Sequence, residues 1–321
     1  MGAFDLKSEL LVVPRGQQVT SSLSNSKDGM TWTNQYGYVA MNGLNQPFVF
    51  DGMNEKGLVV GTLYFPGFAN YQVFETQKQS KSINNIDLSA YILGNTKTVD
   101  EVKSILQKIK VVRNEDLEKA IGTPTDLHHV FTDINGDSIV VEYTNGELQI
   151  YDNSVGVMTN SPGYDWHLLN IRNHIQLGAF AHVTSRTING IEFKPLGQGS
   201  GMTGLPGDST PPSRFIRALA FKASVVELKS VEQGVNEASR ILNNFDIPRG
   251  SSREEVGNKV FMDYTQWSVI ANPERLQYFW WTEHNRRMRM IDLNKIDFAK
   301  KEVVAIPLDK EKIEDIQEIT L

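Results

Sequence analysis

The chain contains no cysteine. That excludes disulfides, thiolate metal sites and any thiol nucleophile within these 321 residues, and says little about compartment. It also lacks an apolar run approaching the roughly 20 residues that a membrane-spanning helix needs. The first residues, Met1-Gly2-Ala3-Phe4, have neither the basic nor the apolar region of a secretory signal. The sequence as it stands therefore reads as that of a soluble, cytoplasmic protein, with a signal peptide upstream of the start left open. Met-Gly invites a myristoylation reading, but Leu6 stands where that motif requires Ser or Thr. A surplus of positive charge is missing as well: 32 Lys and Arg face 38 Asp and Glu, a formal charge of −6. The basic residues are scattered, so no field exists to hold nucleic acid.

Several chemical signatures are equally absent. None of the six histidines lies in an H-E-x-x-H or comparable ligand spacing, and no G-x-S-x-G surrounds a serine. His128 and His129 are adjacent, so in a strand they point to opposite faces and cannot share one metal. The run from Gly199 to Gly204 satisfies G-x-G-x-x-G, but no buried strand precedes it and Pro206, Pro211 and Pro212 prevent the helix that would face a pyrophosphate. Its glycines read instead as a tight loop passing close to other backbone. No cofactor is implied.

What is present is strand-forming sequence in three blocks. Asn135-Gly136 and Asn145-Gly146 tolerate the positive φ of tight turns, so 127–151 reads as three antiparallel strands. An earlier group holds YVAM, PFVF and LVVGTLYF within 37–64, and a later one FMDYTQWSVIA, LQYFWW and MRMIDL. Between them Thr98 with Glu101, and Ser230 with Gln233, form capping boxes ahead of apolar stripes at helical spacing. Helices with one apolar stripe suit the outer faces of sheets, and Pro248-Arg249-Gly250-Ser251-Ser252 reads as a surface loop rather than a linker. We read an α+β chain, one domain over 1–321, with helices covering stacked antiparallel sheets.

Four motifs go further: DGMNEKGL at 51–58, LYFPGFA at 63–69, VMTNSPGYDWH at 157–167 and GQGSGMTGLPGDSTPPSRF at 197–215. Together, in order and spacing, they resemble the choloylglycine hydrolase and penicillin V acylase family, and most closely its penicillin V acylases. The resemblance runs from about Asp5 to the strand near Ile291. It implies the four-layer αββα sandwich of the N-terminal nucleophile hydrolases, hydrolysis of linear amides, and a first residue that is cysteine.

Three residues take on roles through that resemblance. Asn160 alone would be a turn asparagine capping its own backbone; the family uses the matching amide N–H as an oxyanion-hole donor. Tyr64 alone would be a core aromatic at a strand end; the family implies that its backbone N–H is the second donor and its ring shapes the acyl pocket. Bile-salt hydrolases usually carry Asn at that place and penicillin V acylases Tyr, which points to aryl-acetyl or fatty-acyl amides. Arg214 is a cation at a helix start, a position that opposes the helix dipole unless an anion holds it; the family implies that it points into the active site. Arg217, one turn on, reads as a surface or intersheet charge, and Asp208 and His167 as structural hydrogen-bonding residues.

The resemblance also implies a gap. In the family the terminal cysteine attacks the carbonyl while its own α-amine accepts the proton, a transfer between groups of similar pKa. Relatives place that cysteine, and an Arg-x-Met-Asp stretch after it, upstream of this sequence, with Met1 at the place of the aspartate. Gly2 offers an amine and no nucleophilic side chain. A truncated reading frame, a misassigned start and a decayed paralogue, which would be a binding protein for an acyl or bile-acid-like ligand, are the three explanations. The survival of Asn160, Tyr64 and Arg214 in their motifs favours the first two. The expected partner is a small-molecule N-acyl amide. Residues 175–196, with Phe180, Val183, Ile188, Ile191 and Phe193, resemble the loop through which relatives form homotetramers.

Overall fold

The structure, a computed structural model, describes residues 5–44, 46–182 and 184–320. Met1, Gly2, Ala3, Phe4 and Val183, named above, lie outside the described residues. The chain forms two compact units, one of Met1–Ser154 with Asp246–Leu321 and one of Val155–Phe245.

An eight-stranded sheet organises the first unit. Its spatial order is Glu147–Asp152, Ser138–Thr144, Leu127–Thr132, Val59–Tyr64, Gln46–Asn54, Tyr38–Gly43, Glu9–Val13, Val304–Pro307. Every neighbouring pair is antiparallel. The three strands read at 127–151 form as expected, and the Asn145-Gly146 turn takes positive φ at both residues, 53° and 77°. The strand Val304–Pro307, absent from the sequence reading, closes the far edge by pairing with Glu9–Val13.

Alternation sends successive residues to opposite faces. On one face Leu11, Val13, Ala40, Val60 and Phe131 pack with the helices Leu88–Asn95 and Val99–Leu106, through Leu88, Ile92, Val102 and Leu106. Thr98 caps the second helix by accepting from the Glu101 N–H at 3.2 Å, while Glu101 reaches back to the Lys97 N–H. On the other face Leu10, Val39, Met41 and Met53 pack with Tyr278 and Trp280. These two come from an antiparallel meander of Trp267–Asn272, Gln277–Thr282 and Arg289–Asp292. The first unit is therefore helix on sheet on sheet.

Most polar side chains inside these layers find partners, while among the described residues Asn34 Nδ2, His129 Nε2, the Tyr143 hydroxyl and Trp281 Nε1 are buried without a hydrogen bond. Asn54 is fully buried at the end of its strand. Its Nδ2 donates to the carbonyls of Leu93 and Thr96, and its Oδ1 accepts from the N–H groups of Lys56 and Leu58. One side chain thus satisfies a strand-to-strand turn and the end of the Leu88–Asn95 helix together.

The second unit carries the helices Tyr164–Asn170, Pro211–Ser224 and Val231–Asn243, and a hairpin of Arg186–Ile188 with Ile191–Phe193. Ser230 caps the last helix by accepting from the Gln233 N–H, the box expected from sequence. Of the three glycines read as passing close to other backbone only Gly201 does so, a Cβ there lying 2.1 Å from the carbonyl oxygen of Phe180 and 2.5 Å from that of Gly178; Gly199 and Gly204 face open space and take positive φ instead.

Between the two sheets of the first unit, the Tyr278 hydroxyl donates to Asp51 Oδ1 at 2.7 Å. Burial pushes the Asp51 carboxyl up to about 7, opposed in part by the Tyr278 hydrogen bond. An acid whose pKa is higher folded than unfolded binds more protons in the native state, so stability falls as pH rises through the interval between the two values. Wild-type stability should fall from about pH 4 to about pH 7 through this group, by a few kcal/mol at most at ~1.4 kcal/mol per unit. Asp51→Asn, which keeps an acceptor for Tyr278, should remove that part of the slope. Urea midpoints that keep a constant gap between the two proteins across this range would refute the assignment.

Candidate active site

The structure brings Asn160 and Arg214 together. Arg214 lies in the first turn of Pro211–Ser224, and its Nη2 donates to Asn160 Oδ1 at 2.7 Å while its Nε donates to the Ser209 carbonyl at 2.9 Å. The two oxygens in these bonds belong to carbonyl groups, not to the anion expected for a cation at a helix start. The bond fixes the sense of the Asn160 amide. Its oxygen is turned to the guanidinium, so the NH₂ is directed the other way.

Neighbouring bonds fasten the same segment. The Thr159 hydroxyl donates to the Pro211 carbonyl at 3.1 Å, and His167 Nε2 lies 2.9 Å from the Asn160 carbonyl oxygen. A carbonyl can only accept, so the proton resides on Nε2. His167 is 2% exposed and stacked on Phe215, 4.6 Å between centroids and 6° between planes. Tyr164, also buried, meets the same Phe215 edge-on at 6.3 Å. The apolar face of Pro211–Ser224 thus seats the short helix Tyr164–Asn170, and its polar first turn seats the Asn160 side chain.

The loop entering that helix is built around Asp208. Its carboxylate accepts from the Thr210 N–H, the Thr210 hydroxyl and the Ser213 hydroxyl. These bonds, that from Ser213 foremost, hold it down at about 2. Asp208 is thus the structural hydrogen-bonding residue that was expected. Arg217 is not the surface or intersheet charge that was read. It is 8% exposed, donates from Nη1 to the carbonyls of Pro206 and Asp208 at 2.7 and 3.1 Å, and lies over the Phe245 ring. One turn beyond Arg214, it faces back across the helix start and gathers the loop carbonyls. Its burial lowers its pKa, a cost these carbonyls and the ring face offset.

Tyr64 belongs to the first unit. It ends the strand Val59–Tyr64, opposite Leu127, with its side chain partly exposed. The Phe65 N–H donates to the Asp126 carbonyl at 2.7 Å. In a strand the preceding N–H points to the opposite edge, so that of Tyr64 is directed toward Gln46–Asn54, where the paired register runs from Val59 to Gly61. Burial raises the Tyr64 pKa, with the Asp126 carboxylate adding to it. Phe65 beneath is fully buried, stacked on His128 at 4.2 Å and on Phe68 at 5.6 Å. His128 and His129 are both buried and occupied separately, by Glu142 at 3.1 Å and by Ser89 at 3.1 Å. Among the described residues no group of three or more His, Cys, Asp or Glu side chains gathers as metal ligands do.

Comparison with known proteins adds to this geometry. The model of the choloylglycine hydrolase family, linear amide C–N hydrolases, matches residues 3–306. A bile salt hydrolase/transferase of Clostridium perfringens is 32% identical over 96% of this chain and 91% of its own length. A penicillin V acylase of Pectobacterium atrosepticum is 28% identical over 96% and 79%. Among solved structures, a conjugated bile acid hydrolase from Clostridium perfringens superposes with a TM-score of 0.82 at 30% identity, covering 99% of this chain and 94% of that one. The penicillin V acylase of Agrobacterium tumefaciens gives 0.75 at 25% identity, covering 95% and 84%. The fold is thus the α+β N-terminal nucleophile hydrolase fold expected from the motifs, and the chain belongs to the choloylglycine hydrolase family of linear amide C–N hydrolases.

Proposed function

We propose that this chain is the body of an acylase that cleaves a small N-acyl amide by the mechanism that uses an N-terminal cysteine, a residue absent from these 321 positions. The observation that carries the reading is the Arg214–Asn160 bond. An oxyanion donor must be aimed before charge develops on the carbonyl oxygen, because a group that reorients during reaction gives back the stabilisation. With its oxygen committed to Arg214, the Asn160 amide has its NH₂ aimed, and the same cation polarises it as a donor. Asn160 is the side-chain oxyanion donor, Arg214 its holder, and Tyr64 the residue that sets acyl preference while its backbone N–H serves as the second donor.

Tyr64 supports phenoxyacetyl or fatty-acyl amides over bile-salt conjugates, since a phenol offers a flat, bulky wall and lacks the carboxamide of an asparagine. Bile-salt conjugates are the second reading, favoured by the names of the Clostridium perfringens relatives. Assembly into a homo-oligomer, a tetramer by the motif resemblance, is supported by residues 175–196. The hairpin there is exposed along both strands, and Phe180 and Leu196 are 91% and 97% exposed. An apolar excursion of this kind marks an association surface. The reading of 1–321 as one domain belongs to the same proposal.

Four outcomes are expected. The 321-residue chain should show no turnover of penicillin V or glycine-conjugated bile acid, because loss of a nucleophile leaves at best roughly 10³ to 10⁴ of acceleration over water. Hydrolysis at an ordinary enzyme rate by protein of confirmed mass would refute the cysteine mechanism. A chain extended upstream to expose a terminal cysteine should hydrolyse penicillin V in preference to bile-salt conjugates. In it Asn160→Ala should lower kcat by about 10² to 10³ with a much smaller change in KM. An unchanged kcat would remove Asn160 from the mechanism, and ligand binding without turnover in the extended chain would favour the binding-paralogue reading. Finally, light scattering at micromolar concentration should give an assembly larger than a monomer, and a stable monomer would contradict the assembly reading.

A further inference from the structure

We infer that His167 is a positioning residue for Asn160: by donating Nε2–H to the Asn160 main-chain carbonyl it fixes the backbone from which the oxyanion donor projects. The inference rests on the reading of Asn160 given above and extends it from the side chain to the peptide plane. Arg214 alone cannot set the direction of the Asn160 NH₂. It grips the far end of a side chain with two rotatable bonds, and a tilt of the peptide would carry the amide with it.

Three features single out His167. Its ring is 2% exposed, so no solvent competes for Nε2. Its plane is held by the stack on Phe215, 4.6 Å and 6° away, next in sequence to Arg214. Its backbone N–H donates to the Gly163 carbonyl at 3.2 Å, which starts the helix Tyr164–Asn170 three residues after Asn160. The imidazole and the guanidinium therefore project from two helices that share Phe215, and each holds one of the two carbonyl oxygens of Asn160. A histidine buried only to fill volume beside Phe215 has no need to place a donor 2.9 Å from that oxygen. Phenylalanine would fill the same space.

The test uses the chain as it exists and needs no turnover. With ¹⁵N-histidine labelling, the His167 imidazole should show the proton on Nε2. With ¹⁵N-asparagine labelling, the Asn160 amide pair, identified by its disappearance in Asn160→Ser, should lie apart from the shifts of free asparagine. His167→Phe keeps the stack and deletes the donor. It should move the Asn160 pair toward the free value while the melting temperature changes little, and His167→Gln, which returns an N–H at similar reach, should restore the shift. A proton on Nδ1, or an Asn160 pair in a folded His167→Phe that coincides with wild type, overturns the inference. Should His167→Phe fail to fold, the wild-type tautomer and the His167→Gln shift decide it. These readouts are independent of catalysis. Loss of the Asn160→Ala effect on kcat would overturn the oxyanion reading and leave the positioning result standing, whereas failure of the spectroscopic test would leave Arg214 as the holder of a catalytic Asn160.

Discussion

Burial of the large sheet on both faces is the constraint on which the rest of the first unit depends. The strand Tyr38–Gly43 is buried along its whole length. Helices press on one side of it and the Trp267–Asp292 region on the other. Such a strand cannot hand an awkward polar group to solvent. Each one inside must be answered in place, at a cost of about 1–3 kcal/mol where it is not. Asn54 answers four backbone groups with one amide, Tyr278 answers Asp51 across the two sheets, and His128 and Glu142 answer each other beneath Phe65. The strand that ends in Tyr64 takes its firmness from this arrangement.

The second unit works differently. Its helix Val231–Asn243 has no fully buried residue within the unit, and its hairpin is exposed. Order around Asn160 comes from directional bonds set on a small buried cluster of Tyr164, His167 and Phe215. Thr159, Asn160 and the loop 206–210 are tied to two helices by side-chain hydrogen bonds. Arg217 shows the logic most plainly: a buried cation whose hydrogen-bonded oxygens are those of main-chain carbonyls, gathering the chain that precedes its own helix.

Much of this was legible in the residues. Asn145-Gly146 sets its hairpin because few other pairs accept positive φ at both positions, while at Asn135-Gly136 only the glycine takes it, and the capping boxes lie where Thr98 and Ser230 place them. The family and its fold were legible in the motifs, and the close backbone approach of the glycine loop holds at Gly201 only. Other features were not. The strand Val304–Pro307 pairs with a partner at the opposite end of the chain, and nothing local in a four-residue edge strand records that. Arg217 has the helical spacing of an exposed residue, and only the folded loop supplies the carbonyls that justify its burial. His167 lies seven residues after Asn160, a separation that carries no signal until the chain turns into the helix Tyr164–Asn170 and places the two together.

The helix that carries Arg214 begins with Pro211 and Pro212. An ordinary helix start presents free N–H groups and half a unit of positive charge, and so attracts anions through its backbone. Two successive prolines remove the first two of those donors. This helix end is therefore a poor anion receptor on its own account, and negative charge arising beside it has to be met by side chains. Selectivity among anionic species at this point of the molecule is consequently written in individual residues, Asn160 and Arg214 among them, where single substitutions can alter it, rather than in a backbone that substitution barely touches.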